Sequence, residues 1–441
     1  MQGARRDRGA GAGVTLRQRL AGSRMLRPLR RRDFALLSAG SIASLLGDGF
    51  FYVALAWQVY TISNVPTALS IVFLAISIPS VLLVLVGGVF ADRYDRRKLM
   101  VAADLVRAGA LGGIALLSAS GVLELWHIAA LVVFVGAGDA FFNPSSTALL
   151  PDLVPDEDLP AANAFSGMYR PVMIRMIGPA LAGLVVAAFG PAPAFAIDSV
   201  SFLVSAVAVW AIRARPAARA LVDHSVRAAV AEVAEGFRFA RSQPWIWATL
   251  VSAMFSLLVF IGPVEILVPF VVKNKLALGP EALGLIFAFG GIGSLATSVL
   301  IGIFGLPRRR VTMMYVAWAL GVGFTAAYGA MTSLWQALVI SFVLQASFML
   351  GQVIWTTMLQ QLVPRELLGR VASLDWLMSI GLVPVSYALT GPVSGALGPD
   401  ATLIVAGLLG SVFMFGLLFV PGVRDPERIQ ASPADPAQST A

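Results

Sequence analysis

The chain has 441 residues, 58% of them hydrophobic and only 13% charged. Soluble globular proteins carry about 25% charged residues, so this composition excludes a water-soluble domain and points to the lipid bilayer as solvent. The net charge is +8, cysteine is absent, and His127 and His224 stand apart, which excludes a disulfide framework, a thiol nucleophile and a thiolate or histidine metal centre.

Residues 1–33 are Arg-rich and lack a separate apolar core with a small-residue cleavage site, which predicts a basic cytoplasmic arm; a transit peptide is the alternative. Apolar runs long enough to cross ~30 Å of hydrocarbon follow. They predict helical spans over 34–61, 67–90, 99–118, 125–149, 161–190, 193–213, 245–272, 280–304, 311–330, 334–361, 368–396 and 400–420. The runs are continuous and not alternating, as helices require and barrel strands do not. The predicted fold class is an all-α membrane protein of twelve transmembrane helices, with bundles over 34–213 and 245–420. In the intervening segment 214–244, Val226, Val230, Val233, Phe237 and Ala240 share a helical face opposite Arg227, Glu235, Arg238 and Arg241. That pattern predicts an amphipathic linker helix docked on protein or on anionic headgroups. Residues 421–441 are rich in Pro, Ala and Asp and predict a disordered cytoplasmic tail.

The basic residues fix an orientation. Arg93 to Lys98, Arg308 to Arg310, Arg365 and Arg424 fall in the loops that share a side with the Arg-rich arm, whereas Lys273 and Lys275 fall on the other. The excess of Lys and Arg on the cytoplasmic side then places both termini in the cytoplasm, expected beneath a bacterial inner membrane. The same clustering in loops argues against a nucleic-acid partner.

The two halves repeat. Val65-Pro66-Thr67-Ala68-Leu69-Ser70 returns as Gly279-Pro280-Glu281-Ala282-Leu283-Gly284, and Leu153-Val154-Pro155 as Leu362-Val363-Pro364. Gly178-Pro179 with Gly183 returns as Gly391-Pro392 with Gly395. Matches in one order at nearly constant offset mean two parallel six-helix repeats, which in transporters enclose the binding site between them. The Gly-Pro pairs let helices approach and bend, for packing or for gating.

Charges inside the bilayer cost about 2.5–3.5 kcal/mol each on insertion scales, so each one is a functional candidate. Asp48 lies near the middle of the first span and is the leading proton-coupling residue; the alternative is an Asp held for structure. Glu265, beside Gly262 and Pro263, is the second candidate, or else a solvated vestibule residue. Asp104 and Arg107, one turn apart, are spaced to neutralise each other. Arg170 and Arg175 need acidic or ligand partners, with Asp139, Asp48 or an anionic substrate available. Asp375 is expected to support the cytoplasmic end of its span, while Phe51, Trp57, Phe255, Phe289, Met349 and Trp355 are candidates for an apolar pocket.

The loop Gly88-Val89-Phe90-Ala91-Asp92-Arg93-Tyr94-Asp95-Arg96-Arg97-Lys98 resembles the loop signature of the major facilitator superfamily, matching at Gly88, Asp92, Arg93, Arg96 and Arg97, with Asp95 where Gly is usual. Leu46-Gly47-Asp48-Gly49, Asp139-Ala140-Phe141-Phe142-Asn143-Pro144 and Ala162-Asn163-Ala164 resemble the branch holding macrolide and tetracycline efflux pumps and enterobactin exporters. The fifth span is similar to the antiporter signature at Gly178 to Gly183, but carries Ile174 and Ala182 where Gly is usual. The resemblance implies that Gly88 opens a turn, that Asp92 latches onto the start of the eleventh span, and that Arg96 pairs with Asp139 in one access state. It also implies a monomeric, proton-coupled exporter of an amphipathic small molecule. An importer or facilitator of a metabolite, and a non-transporting receptor or scaffold, are the alternatives. No phosphate-binding loop and no nucleophile–base set is recognisable, so neither ATP, another cofactor nor enzymatic activity is expected.

Overall fold

The computed structural model describes residues 24–213 and 226–427. Most of the basic arm, the first part of the linker and residues 428–441 of the expected disordered tail lie outside these residues; 421–427 are packed and not disordered, with Val423 buried and Glu427 accepting from the Thr312 backbone N–H at 2.6 Å. Twelve helices are long and apolar enough to cross a membrane: α1 (Arg32–Ile62), α2 (Pro66–Ala91), α3 (Arg96–Ala119), α4 (Leu125–Leu153), α5 (Asp156–Phe189), α6 (Pro191–Trp210), α7 (Pro244–Asn274), α8 (Pro280–Phe304), α9 (Arg310–Ala330), α10 (Leu334–Leu362), α11 (Glu366–Leu397) and α12 (Pro399–Leu417). A linker helix, Val226–Ser242, joins the sixth to the seventh.

Local chemistry sets the ends. Pro66, Pro191, Pro244, Pro280 and Pro399 each open a span, where proline's fixed φ suits the first turn and its missing N–H is no loss. Gly190 and Gly398 precede two of these prolines with φ of 81° and 86°, a conformation that a side chain disfavours, so the α5–α6 and α11–α12 turns are built alike. Asp95 caps α3 by accepting from the Arg97 backbone N–H at 3.0 Å. His127 is taken up in a reciprocal cap with Glu124 at the start of α4.

Within the first half α2 packs on α4 and α6 on both α1 and α3; in the second half α8 packs on α10 and α9 on α12. The halves meet through α5 against α8 and α2 against the second part of α11. These contacts gather at the face away from the chain termini. There Gly391 lies against Thr67 and Ser70, and Gly183 against Pro280 and Glu281. A clasp between α1 and α7 completes the closure: the Tyr60 hydroxyl donates to the Ile266 carbonyl at 2.6 Å, and Asn64 Nδ2 donates to Asn274 Oδ1 at 2.6 Å. The Lys273 ammonium donates to the Tyr60 carbonyl and lies 5.7 Å from the Trp57 ring centroid. Toward the terminus-bearing face the bundles separate.

Three spans depart from regular α geometry. Met173–Ile177 in α5 and Pro263–Leu267 in α7 are single π-helical turns, and α11 breaks at Leu382. Each π turn holds an ionisable residue, Arg175 in one and Glu265 in the other.

Candidate functional site

A cavity of ≈ 480 Å³ lies between the bundles, mostly against the first. It runs from Phe34, Leu150 and Asn163 near the terminus-bearing face up to Asp48, Tyr52 and Tyr387. Its wall is rich in hydroxyl groups, including Ser38, Ser41, Ser44, Ser77, Ser80 and Ser146, so it can satisfy a polar cargo as well as cover an apolar one.

Asp48 is half-buried in this wall and accepts no hydrogen bond among the described residues. It stands where α1 crosses α5: a Cβ on Gly49 would come within 2.8 Å of the Gly178 Cα, so two adjacent glycines set how deep the carboxylate sits. Asp139 and Arg170 line the same cavity.

Behind the wall, Arg107 is almost fully buried. Its guanidinium pairs with Asp104 and, at 2.7 Å, with Asp139, and it is held between the rings of Phe142 and Phe202 at 4.5 and 4.1 Å from their centroids. Such flat, two-sided packing with forked donors is a geometry lysine cannot reproduce. Asp104 is wholly buried, whereas the Asp139 side chain is 37% exposed to the cavity.

Asp198 is a further acid at this depth. It is 1% exposed, packs against Gly47, and takes a 3.2 Å hydrogen bond from Ser201 on Oδ1, while Oδ2 has no hydrogen-bond partner among the described residues. The sequence reading passed over it, although the rule that singled out Asp48, a lone acid inside an apolar run, applies equally to 193–213.

The top of the cavity joins the halves. Tyr52 stacks on Phe73 (6.4 Å, 22°), Phe73 stacks on Tyr387 (5.1 Å, 20°), and the Tyr387 hydroxyl donates to the Glu265 carboxylate. Three aromatic rings therefore connect the Asp48 helix to the π turn of α7. Arg175 and Arg170 make no ion pair among the described residues, and of the two only Arg170 lines the cavity, where its guanidinium can meet a ligand.

Several expectations need correction. Arg96 does not pair with Asp139: its guanidinium bonds Asp152 at 2.8 Å and the Ala148 and Ala91 carbonyls. Asp139 lies 13 residues before Asp152 on α4, about 20 Å deeper at 1.5 Å per residue, beyond the reach of a side chain at the start of α3. Gly88 does not open a turn, because the helix runs through it to Arg93 and the chain turns at Tyr94 and Asp95. Arg93 is exposed, and Arg97 donates to the Trp210 carbonyl at 2.8 Å. The side chain of Asp92 lies outside the described positions, and its latch with it. Of the candidate pocket aromatics only Phe51 lines the cavity. Phe255 pairs with Phe413 in the second bundle, and Trp355 donates to Asp375 at 3.1 Å, tying α10 to α11.

The chain resembles known proteins over most of its length. It is 25% identical to the multidrug efflux pump Tap of Mycolicibacterium fortuitum, over 90% of this chain and 97% of that one. It is 22% identical to macrolide efflux protein A of Streptococcus pyogenes, over 85% and 93%. Among solved structures, a bacterial homologue of the iron transporter ferroportin in its inward-facing state superposes with a TM-score of 0.68, at 18% identity over 88% of this chain and 98% of that one, which shows the shared fold. The sequence pattern of the family described as Transmembrane secretion effector matches residues 23–437. Twelve spans in two bundles around a central cavity, together with that match, make this chain a multi-pass membrane transporter of small molecules that belongs to the Transmembrane secretion effector family of the major facilitator superfamily.

Proposed function

We propose that the protein exports an amphipathic small molecule from the cytoplasm across a bacterial inner membrane, as a monomer, in exchange for protons that enter through Asp48. The observation that carries this reading is the placement of Asp48: an acid without a hydrogen-bond partner among the described residues, in a cavity that extends to the terminus-bearing face and is closed at the other. The clustering of Arg in loops on that face supports its being cytoplasmic. The names of the efflux pumps it resembles support export.

In this mechanism, cargo enters the cavity beside ionised Asp48 and the bundles rock about the α2–α11 and α5–α8 contacts. A proton taken up by Asp48 neutralises it, which removes the penalty for closing a charge into a dry interface and lets the empty carrier return. Glu265 is the second acid on the path, and its Tyr387 bond would report the movement of α11 against α7.

Proteoliposomes exposed to a panel of macrolides, tetracyclines and siderophores test the proposal. Substrate-driven proton movement in the parent that disappears in Asp48→Asn, with monodisperse elution retained, is the expected result. An unchanged signal in Asp48→Asn would remove the coupling role from this residue.

A further inference from the structure

A second cleft, of ≈ 380 Å³, lies between the linker helix and the spans it touches. Phe237, Ala240 and Arg241 of the linker helix form one side; Trp247, Leu250 and Val251 of α7 and Leu374 and Met378 of α11 form the other. It shares no lining residue with the central cavity. All its side chains but one are apolar, and the exception, Arg241, is exposed at the rim. Arg238, one turn earlier on the same helix, is also exposed, and neither makes an ion pair among the described residues. Trp247 to Val251 lie three to seven residues into α7, about 5–10 Å from its start at 1.5 Å per residue. A helix of 31 residues, about 46 Å long and centred on ~30 Å of hydrocarbon, leaves about 8 Å in the headgroups at each end, so these residues fall where glycerol backbones give way to acyl chains.

An apolar slot at the boundary of the hydrocarbon, with the Arg241 guanidinium at its rim and exposed Arg238 one turn away on the same helix, is complementary to one class of molecule present around the protein. We propose that the cleft binds an anionic glycerophospholipid. Arg241 and Arg238 hold its phosphate, and one acyl chain lies between Phe237, Trp247 and Met378. Guanidinium groups suit phosphate because their forked donors bond two oxygens at once. Half-exposed Phe237, 51% accessible, is covered by the bound chain. The Glu235–Arg370 ion pair at 2.6 Å keeps the linker helix on α11, so the two sides of the slot hold their spacing.

The test uses the full chain in nanodiscs of phosphatidylcholine doped with a photoactivatable phosphatidylglycerol, with cross-linked peptides mapped by mass spectrometry. Labelling is expected to concentrate on peptides holding Phe237 to Val251 and Leu374 to Met378. It should fall about fivefold in Arg241→Gln, the factor that corresponds to about 1 kcal/mol per basic residue at an anionic surface, and fall less in Arg241→Lys, which keeps the charge and loses the fork. Met378→Trp, which fills the slot and leaves the charges, should also lose it. Equal labelling of these peptides by a photoactivatable phosphatidylcholine would overturn the proposal, as would labelling spread evenly over the lipid-facing helices. The comparison of the two headgroups on the unaltered protein decides the matter even if a variant fails to fold.

Discussion

Arg107 is the most constrained charge in the membrane region, and its surroundings separate structure from transport at single residues. Its two carboxylate partners differ in exposure: Asp104 is fully buried and Asp139 borders the cavity. Breaking a buried pair leaves an uncompensated charge, so Arg107→Gln is expected to lower stability by about 3–5 kcal/mol. Asp139→Asn leaves Arg107 paired with Asp104 and removes only a partly solvated contact, an expected loss of about 1 kcal/mol or less. Thermal unfolding in detergent gives both numbers. Equal losses would mean that Asp139, and not Asp104, anchors the guanidinium. These acids and the arginine were legible in the sequence because a charge in an apolar run is conspicuous. The Asp104–Arg107 pairing was legible too, because the two share a helix one turn apart; that of Asp139 was not, since Asp139 and Asp198 reach the cluster only through the packing of α4 and α6 on α3, which one sequence does not display.

At the scale of the element, α5 and α7 combine an ordinary apolar run with one π turn beside a proline, and in each the turn holds an ionisable residue, Arg175 or Glu265. A π turn adds one residue to a helix without changing its composition. That is why hydropathy yields the spans, their order and their repeat while hiding the local rotation that aims Arg175 and Glu265. Pro179, read as a bend, was the available hint in α5, and Pro263 beside Glu265 the one in α7. Deleting Met173 should remove the extra residue and restore regular α geometry, so that Gly178 and the helix beyond keep their register while the side chains inside the turn, Arg175 among them, are re-aimed. The close contact of Gly49 with Gly178 should then hold. Size-exclusion profiles should show a monodisperse protein for the deletion, and transport should be lost in it as in Arg175→Gln. A deletion variant that still transports would show that the π turn is incidental.

For the whole molecule, the question is how firmly the face away from the termini is shut. The clasp consists of the Tyr60–Ile266 and Asn64–Asn274 hydrogen bonds and the Lys273 contact, with net values of about 0.5–1.5 kcal/mol for each neutral bond and about 1.5–3 for the charged one. A closure of a few kcal/mol suits a carrier, because it holds one access state as the majority and lets the other be reached on cargo or proton binding. The clasp pairs α1 with α7, equivalent first helices of the two repeats, so opening it must move the bundles as bodies. Since the chain has no cysteine, Asn64→Cys with Asn274→Cys gives one defined pair for a short, reducible thiol cross-linker. Cross-linking is expected to stop transport in proteoliposomes and reduction to restore it, while cargo binding from the terminus-bearing face persists in the linked protein. Full transport through the linked protein would mean that this face opens elsewhere and that the rocking axis assigned to α2–α11 and α5–α8 is wrong. Loss of binding as well as transport would mean instead that the cavity is loaded from the clasped side, reversing the proposed direction.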